Sequence, residues 1–166
     1  MLKDILSVSG HSGLYKLVSH GKNNMIVESL IDGKRIPAYA SSRVSGLEEI
    51  SIYTEDGDTK LTDVLILIFE NKIEVNPKAP DKILKETFRQ ILPNYDPDKV
   101  YVSHIKKIFA WYNILTEKEI LTEETIKNYK ETLEEEEAQA EAETEEKDNA
   151  EAETEEKEKD EVENQE

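Results

Sequence analysis

Cysteine is absent from the 166 residues, and histidine occurs only three times. The absence of cysteine excludes disulfides, thiol catalysis and cysteine-ligated zinc, and it fits a reducing compartment. The longest apolar run, residues 64–69, is far too short to cross a bilayer. No apolar run of signal-peptide length follows Met1. We therefore expect a soluble, cytoplasmic protein with no membrane partner.

The motifs of common catalytic and cofactor sites are also missing. The six glycines form neither a Walker loop nor a Gly-x-Gly-x-x-Gly pattern. His11 is interpreted as a solvated loop residue and His104 as a half-buried structural residue. Asp56 and Asp96 each begin an acidic turn without the glycine and glutamate of an EF-hand. We predict no catalytic, cofactor-binding or metal-binding residue, so the expected protein is not an enzyme; an enzyme with an unrecognised site is the minor alternative.

Charge is distributed very unevenly along the chain. The net formal charge is −17, but residues 134–166 alone hold 18 acids and 3 lysines. The preceding 133 residues hold 20 acids and 18 bases and are nearly neutral. The acidic segment has almost no large apolar side chains and repeats itself at residues 140–147 and 150–157. We predict that this tail, residues 134–166, is disordered, because it cannot recover its ordering entropy by burial.

Four runs rich in β-forming residues organise the first half of the chain. They are residues 13–18, 25–31, 35–39 and 50–53. An Asp-Gly pair at residues 32–33 predicts a tight hairpin that places Val27 opposite Ala38. One face of this hairpin is expected to form the core; its members are Met25, Val27, Ser29, Ile31, Ile36, Ala38 and Ala40. Pro37 predicts an edge strand, because proline donates no ladder hydrogen bond.

The second half of the chain has helical spacing. Residues 61–70 are apolar all round and fit either a helix or a fifth strand. Residues 76–80 contain two prolines and mark a domain boundary. Beyond it, amphipathic patterns predict three helices: one before Pro93, one starting after an N-cap at Ser103, and one after a capping box that begins at Thr116. A further helical turn is predicted at residues 2–6.

Together these patterns predict an α+β protein. Residues 1–75 are expected to form a small SH3-like β-barrel or a curled antiparallel sheet, and residues 76–133 a three-helix domain. The disordered acidic tail, residues 134–166, completes the predicted organisation.

Several short segments resemble a family of domains of unknown function from Bacteroidota. They include residues 2–6, 13–18, 28–30, 38–40 and 50–53, together with Lys106-Lys107-Ile108 and residues 111–115. The resemblance extends over about residues 1–115. It implies a cytoplasmic bacterial protein of two small domains, and it implies no activity, cofactor or catalytic residue.

The favoured function is a non-enzymatic protein-interaction module of unspecified role. Its partner is expected to be a protein that contacts the outer hairpin face and the helical half through Ile26, Leu30, Tyr39 and Trp111. The alternative is an RNA- or DNA-associated regulator. That alternative uses five bases: Lys16, Arg35, Arg43, Lys106 and Lys107. The near-neutral body counts against it, because phosphate binding usually needs a basic excess.

Overall fold

The computed structural model describes residues 2–22, 24–39 and 43–135. The chain divides into two units, Met1–Thr122 and Glu123–Glu166, and the described part of the second unit is helical over residues 123–135. Ala40, assigned above to the core face, lies outside the described residues. The predicted disordered tail also lies outside them, apart from residues 134 and 135. The predicted domain boundary near residue 75 stays a prediction.

Five antiparallel strands form the main sheet of the first unit. They are β1 Ile5–Val8, β2 Tyr15–His20, β3 Asn24–Ser29, β4 Arg35–Tyr39 and β5 Val44–Gly46. Their order is β4-β3-β2-β1-β5, so the sheet is open and β4 lies at an edge. The α+β class and the edge position of Pro37 are thus confirmed. Closure into an SH3-like barrel is not confirmed.

The sheet encloses a core that its own strands supply. Alternate side chains on one face form the cluster Leu6, Val8, Tyr15, Val27 and Ala38, with Leu17, Met25, Ile36 and Val44 packed against it. The described members of this cluster all come from strands of the main sheet. Val27 is fully buried and Ala38 is 2% exposed, as the predicted core face requires.

The register of the β3–β4 hairpin differs from the predicted one by two residues. Val27 pairs with Ile36, and Met25 pairs with Ala38. The Ser29 hydroxyl accepts hydrogen bonds from Ile31 N and Asp32 N at 3.3 and 3.4 Å, and Gly33 N donates to Ser29 O at 2.9 Å. These bonds close a four-residue loop instead of a two-residue turn. Because the shift is even, the residues within the two strands keep their predicted faces. Ile31, assigned above to the core face, instead lies in the four-residue loop and is 57% exposed.

Two assignments near the sheet were wrong. The predicted helical turn at residues 2–6 is replaced by β1, whose Leu6 and Val8 enter the sheet core. The predicted fourth strand does not join the main sheet. Instead β6 Ser51–Thr54 pairs with β7 Gly57–Lys60 in a separate two-stranded ribbon. Short strands of three or four residues carry too little alternation to identify their partners.

Three helices complete the first unit, in addition to a single 3-10 turn at Leu47–Glu49. They are α1 Leu61–Glu70, α2 Asp81–Ile91 and α3 Val102–Glu117. The ambiguous segment at residues 61–70 is therefore a helix, and Val64, Leu65 and Ile68 are fully buried. A three-helix domain over residues 76–133 is not confirmed, because residues 123–135 fall in the second unit.

The start of α3 corrects two sequence assignments. The N-cap is Tyr101 rather than Ser103, and the Tyr101 N–H donates to Nδ1 of His104 at 3.3 Å. His104 is thus an exposed capping residue rather than a half-buried one. Thr116 lies in the last turn of α3 and donates to Tyr112 O at 2.8 Å, so it does not begin the next helix. The buried residues of α3, Ile105, Ile108, Phe109 and Leu115, form one stripe along the helix.

Candidate functional site

A groove of about 450 Å³ runs between the outer face of the main sheet and α3. Its walls come from four places: strands β1 and β5, the connection at residues 9–13, Arg43, and α3. The lining residues are Ser7, Val8, Ser9, Gly10, His11, Ser12, Gly13, Arg43, Ser45, Lys106, Lys107, Ala110 and Trp111. We call this the basic groove.

Strand alternation places hydroxyl groups on the sheet side of the basic groove. Ser7 pairs with Ser45 across β1 and β5, while Leu6 and Val8 point to the opposite face and into the core. A serine between two core residues therefore faces outward, as the two-residue period of a strand dictates. The groove floor at this point is polar but uncharged.

The connection after β1 is held by backbone hydrogen bonds. Ser9 N donates to Arg43 O at 2.9 Å, and His11 N donates to Val8 O at 3.1 Å. Gly10 has a φ of +83°, a conformation that L side chains rarely adopt, and no atom lies within 4 Å of a Cβ built there. We call residues 9–13 the serine loop. The hydrogen bond from Ser9 N holds the backbone of residue 43 beside this loop, so the Arg43 side chain starts at the rim of the groove.

Helix α3 supplies the opposite wall. Its buried stripe faces the core, so Lys106, Lys107 and Trp111 lie on the side that borders the groove. Trp111 is half-buried and both lysines are exposed. Lys106 is engaged by Asp81 of α2, with Nζ 2.9 Å from Oδ1.

The charge of the basic groove has one sign. Its described lining contains Arg43, Lys106, Lys107 and His11, and no aspartate or glutamate. Within the described parts of the chain, neither Arg43 nor Lys107 has a carboxylate within ion-pair distance. Over residues 2–22, 24–39 and 43–135, these two cations are therefore uncompensated.

A second, more apolar hollow of about 250 Å³ adjoins the groove. It is lined by Ile50, Ser51, Ile52, Tyr53, Lys99, Val100, His104, Lys107, Ile108 and Trp111. Lys107 and Trp111 line both spaces, so the two are neighbours along α3. We call this the Tyr53 hollow. Tyr53 is 49% exposed, and Lys99 lies over its ring with Nζ 5.3 Å from the centroid.

Lys99 is held by the turn before α3. Its Nζ lies 3.3 Å from Asp96 Oδ2, and Asp98 N donates to Asp96 Oδ1 at 2.9 Å. The hydrogen bond from Asp98 N–H, with the neighbouring Lys99 ammonium, lowers the pKa of the Asp96 carboxyl. The carboxylate therefore stays charged, and Lys99 is partly neutralised.

The four predicted partner-binding residues separate into two places. Trp111 lines both spaces described above. Ile26, Leu30 and Tyr39 belong to the β3–β4 hairpin and line neither space. Ile26 and Leu30 are half-buried, whereas Tyr39 is 54% exposed. The structure thus leaves Tyr39 as the most accessible of the three hairpin side chains.

The five bases of the nucleic-acid alternative also separate. Arg43, Lys106 and Lys107 meet in the basic groove. Lys16 and Arg35 lie on β2 and β4, outside it, and Arg35 Nε is 2.7 Å from Glu28 Oε2. A continuous basic track over all five residues is therefore not formed.

Sequence reasoning missed the serines and the Tyr53 hollow. Ser7 alternates with Leu6 and Val8, which is a strand signal, but the helical interpretation of residues 2–6 obscured it. Over the described residues, no group of three or more histidine, aspartate or glutamate side chains is placed to hold a metal ion. None of the helices described is long and apolar enough to cross a membrane.

Two family models match this chain in sequence, and the boundary between them separates the residues of the two walls of the basic groove. Residues 2–47 match a family model described as "Domain of unknown function (DUF5606)", and residues 50–115 match "Domain of unknown function (DUF6852)". The serine loop, Arg43 and Ser45 come from the first match, and the α3 residues from the second. The basic groove therefore lies where the two matched segments meet.

A solved structure gives a second comparison. A Bacteroides vulgatus protein, determined by solution NMR in a structural genomics programme, is 43% identical in sequence. The alignment covers 74% of this chain and 90% of that one, with a TM-score of 0.59. The search of curated proteins finds no match.

Proposed function

The chain belongs to the family that joins these two domains of unknown function, and we propose that it is a non-enzymatic interaction module. Its ligand is an extended segment of a partner protein. The segment lies along the basic groove and the Tyr53 hollow. The observation that carries this proposal is that Trp111 and Lys107 line both spaces, which places the two side by side along α3.

The composition of the two spaces supports a binding role. Ligand sites in proteins are concave, mostly apolar and supplied with a few polar groups that fix orientation. Tyr53 and Trp111 offer large rings that lose little conformational entropy on binding, since each has only two side-chain torsions. Arg43 and Lys107 offer charge at one end. A peptide with an apolar side chain near an acidic group fits this arrangement.

The outer hairpin face has a secondary place in the proposal. Ile26 and Leu30 are half-buried and have limited surface left for a partner. Tyr39 is more than half exposed on an edge strand. We propose Tyr39 as a peripheral contact, weaker than Trp111.

Binding rather than catalysis is proposed because of what surrounds His11. The basic groove offers serines and an imidazole, but the part of its lining that the structure describes has no carboxylate to orient that imidazole as a general base. The ring of His11 packs edge-on to Tyr15, with centroids 6.2 Å apart. The proposed compartment is the cytoplasm, in keeping with the absence of cysteine.

Selection from a random peptide library on the immobilised full chain tests the proposal. The selected peptides are then titrated by calorimetry against the wild type, Trp111→Ala and Tyr39→Ser. We expect Trp111→Ala to weaken binding by about tenfold or more, since a buried aromatic contact contributes about 2 kcal/mol. Tyr39→Ser should change affinity by less than about threefold. Selection of no peptide, or equal effects of the two substitutions, would count against the groove as the binding surface.

A nucleic-acid ligand is the second candidate, favoured by the absence of acids from the basic groove. Binding of a single-stranded oligonucleotide would fall steeply with salt, because each neutralised phosphate releases counterions. A titration at two salt concentrations with wild type and Lys107→Gln tests it. The candidate requires a Lys107-dependent affinity that decreases with salt.

A further inference from the structure

We infer that the basic groove is an oxyanion site that takes a phosphorylated serine or threonine side chain of the partner segment. This inference rests on the proposed function and specifies its ligand chemistry. The Tyr53 hollow would then take an apolar side chain next to the phosphorylated residue. Four features of the groove carry the inference.

The first feature is the pair of uncompensated cations. Arg43 and Lys107 reach the groove from opposite walls, and neither has a carboxylate partner among the described residues. A phosphorylated side chain carries about −1.5 to −2 charges at pH 7, and arginine is the residue that binds such groups most specifically. Because both cations are free, binding does not require an existing ion pair to break.

The second feature is the set of neutral donors. Four serines, Ser7, Ser9, Ser12 and Ser45, line the same space. A hydroxyl can rotate to donate to a phosphate oxygen. The three terminal oxygens of a phosphate group accept several such bonds at once, which a lone carboxylate cannot match.

The third feature is the absence of repulsion. Among the residues that the structure describes, no acidic side chain lines either the basic groove or the Tyr53 hollow. The surrounding body is slightly acidic overall, so this local segregation distinguishes the groove from the rest of the surface.

The fourth feature concerns size, and it favours a phosphorylated side chain over a nucleic-acid strand. Lys106 is paired with Asp81 at 2.9 Å and Arg35 with Glu28 at 2.7 Å. Only a compact two-cation site is left, whereas strand binding typically uses several phosphate contacts in a row. A single dianion beside an apolar hollow matches the charges that are available.

The test uses the full chain and its single tryptophan, Trp111, as the fluorescent reporter. The main probe is a peptide library with a fixed central phosphoserine, randomised flanks and no tryptophan; its twin contains serine. Further probes are inorganic phosphate and a single-stranded oligothymidylate. We expect the phosphoserine library to bind about tenfold or more tighter than its twin, since charge-assisted hydrogen bonds contribute about 1.5–3 kcal/mol. Inorganic phosphate should compete with it.

Three variants test whether the tighter binding of the phosphoserine library arises in the basic groove. Arg43→Gln and Lys107→Gln should each lower the affinity for the phosphoserine library by about tenfold, which corresponds to about 1.4 kcal/mol. Lys16→Gln removes the same charge from β2, outside the groove, and should leave the affinity within about twofold. All three side chains are exposed, so circular dichroism should show unchanged folding.

Each outcome decides the inference. Equal binding of the phosphorylated and serine libraries overturns it, and the proposed peptide-binding function survives if the binding still depends on Trp111. An equal loss in all three variants overturns it as well, because the attraction would then be nonspecific. Tighter, salt-dependent binding of the oligothymidylate overturns it in favour of nucleic acid. Absence of binding by any probe overturns the inference, and the library selection above then decides the proposed function independently.

Discussion

Anions and cations should quench the fluorescence of Trp111 to different extents, because charged side chains lie near it. The chain has a net formal charge of −17 and only one tryptophan. Judged from net charge, the cation caesium should quench this tryptophan more efficiently than the anion iodide. The structure predicts the opposite order, because Trp111 lines a space with Arg43 and Lys107 and without acids.

The size of the preference can be worked out from Coulomb's law. Two unit charges about 7 Å apart in water interact by about 0.6 kcal/mol, and screening in 0.1 M salt roughly halves this value. Two uncompensated cations then attract an iodide ion by about 0.6 kcal/mol, close to RT, and repel caesium equally. Iodide should be enriched near the indole by a factor of about 2.7 and caesium depleted by the same factor, so their ratio changes by about sevenfold.

The assay is a Stern–Volmer titration at constant ionic strength, with each quenching constant divided by that of free N-acetyltryptophanamide. The normalised iodide-to-caesium ratio should be about 7 for the wild type and about 2.7 for Arg43→Gln or Lys107→Gln. It should be near 1 for the double variant and unchanged for Lys16→Gln. A wild-type ratio below 1, or one that ignores both groove substitutions, would refute the description of the groove as locally cationic.

Three further predictions concern the fold. Gly13→Ala should cost about 1–3 kcal/mol of unfolding free energy in urea, because Gly13 has a φ of +93°, which L side chains rarely adopt. The atom nearest to an added Cβ, Ile31 Cδ1 at 2.7 Å, ends an exposed side chain that can move away, so the cost comes from the backbone; an unchanged urea midpoint would contradict this. Phe88→Ala should lower the unfolding free energy by about 3–5 kcal/mol and Ile83→Ala by less than about 0.5 kcal/mol, since Phe88 is fully buried and Ile83 is 47% exposed. Similar melting temperatures for the two variants would be inconsistent with the packing of α2 through the face that carries Phe88. The pKa of Asp96 is lowered below 3.8 in the folded state, so its carboxylate stabilises the fold above about pH 4 and this stabilisation is lost as the pH falls further. Asp96→Asn should therefore reduce the loss of unfolding free energy at acid pH. An unaltered acid part of the stability–pH profile would show that Asp96 does not contribute to it.

Local sequence patterns predicted those structural features that depend on a single helix or strand. Pro37 indicated an edge strand, and β4 is an edge. Residues 61–70 are apolar on all sides, which indicated burial, and Val64 and Leu65 are fully buried; the choice between helix and strand was left open, and the structure gives a helix. The hairpin register was wrong by two residues, yet the core face survived because side-chain direction in a strand repeats every two residues.

The features that could not be predicted depend on pairing between segments that lie far apart in the chain. Strands β1 and β5 have only four and three residues, too few for a period to stand out from their surroundings. Their pairing brings Ser7 next to Ser45, and nothing in the local sequence around Ser7 specifies that neighbour. The candidate residues Arg43, Lys107 and Trp111 were each identified, but their shared groove was not.

The sequence alone determined the side-chain periods, the buried stripe of α3 and the separation of an acidic segment from a nearly neutral body. These properties depend on neighbours within a few residues, so they can be derived without the fold. Only the tertiary structure decided which strands pair and which cations lose their carboxylate partners. Those outcomes depend on competition between segments far apart in the chain, and here that competition placed Arg43 and Lys107 around one tryptophan with no acid beside them.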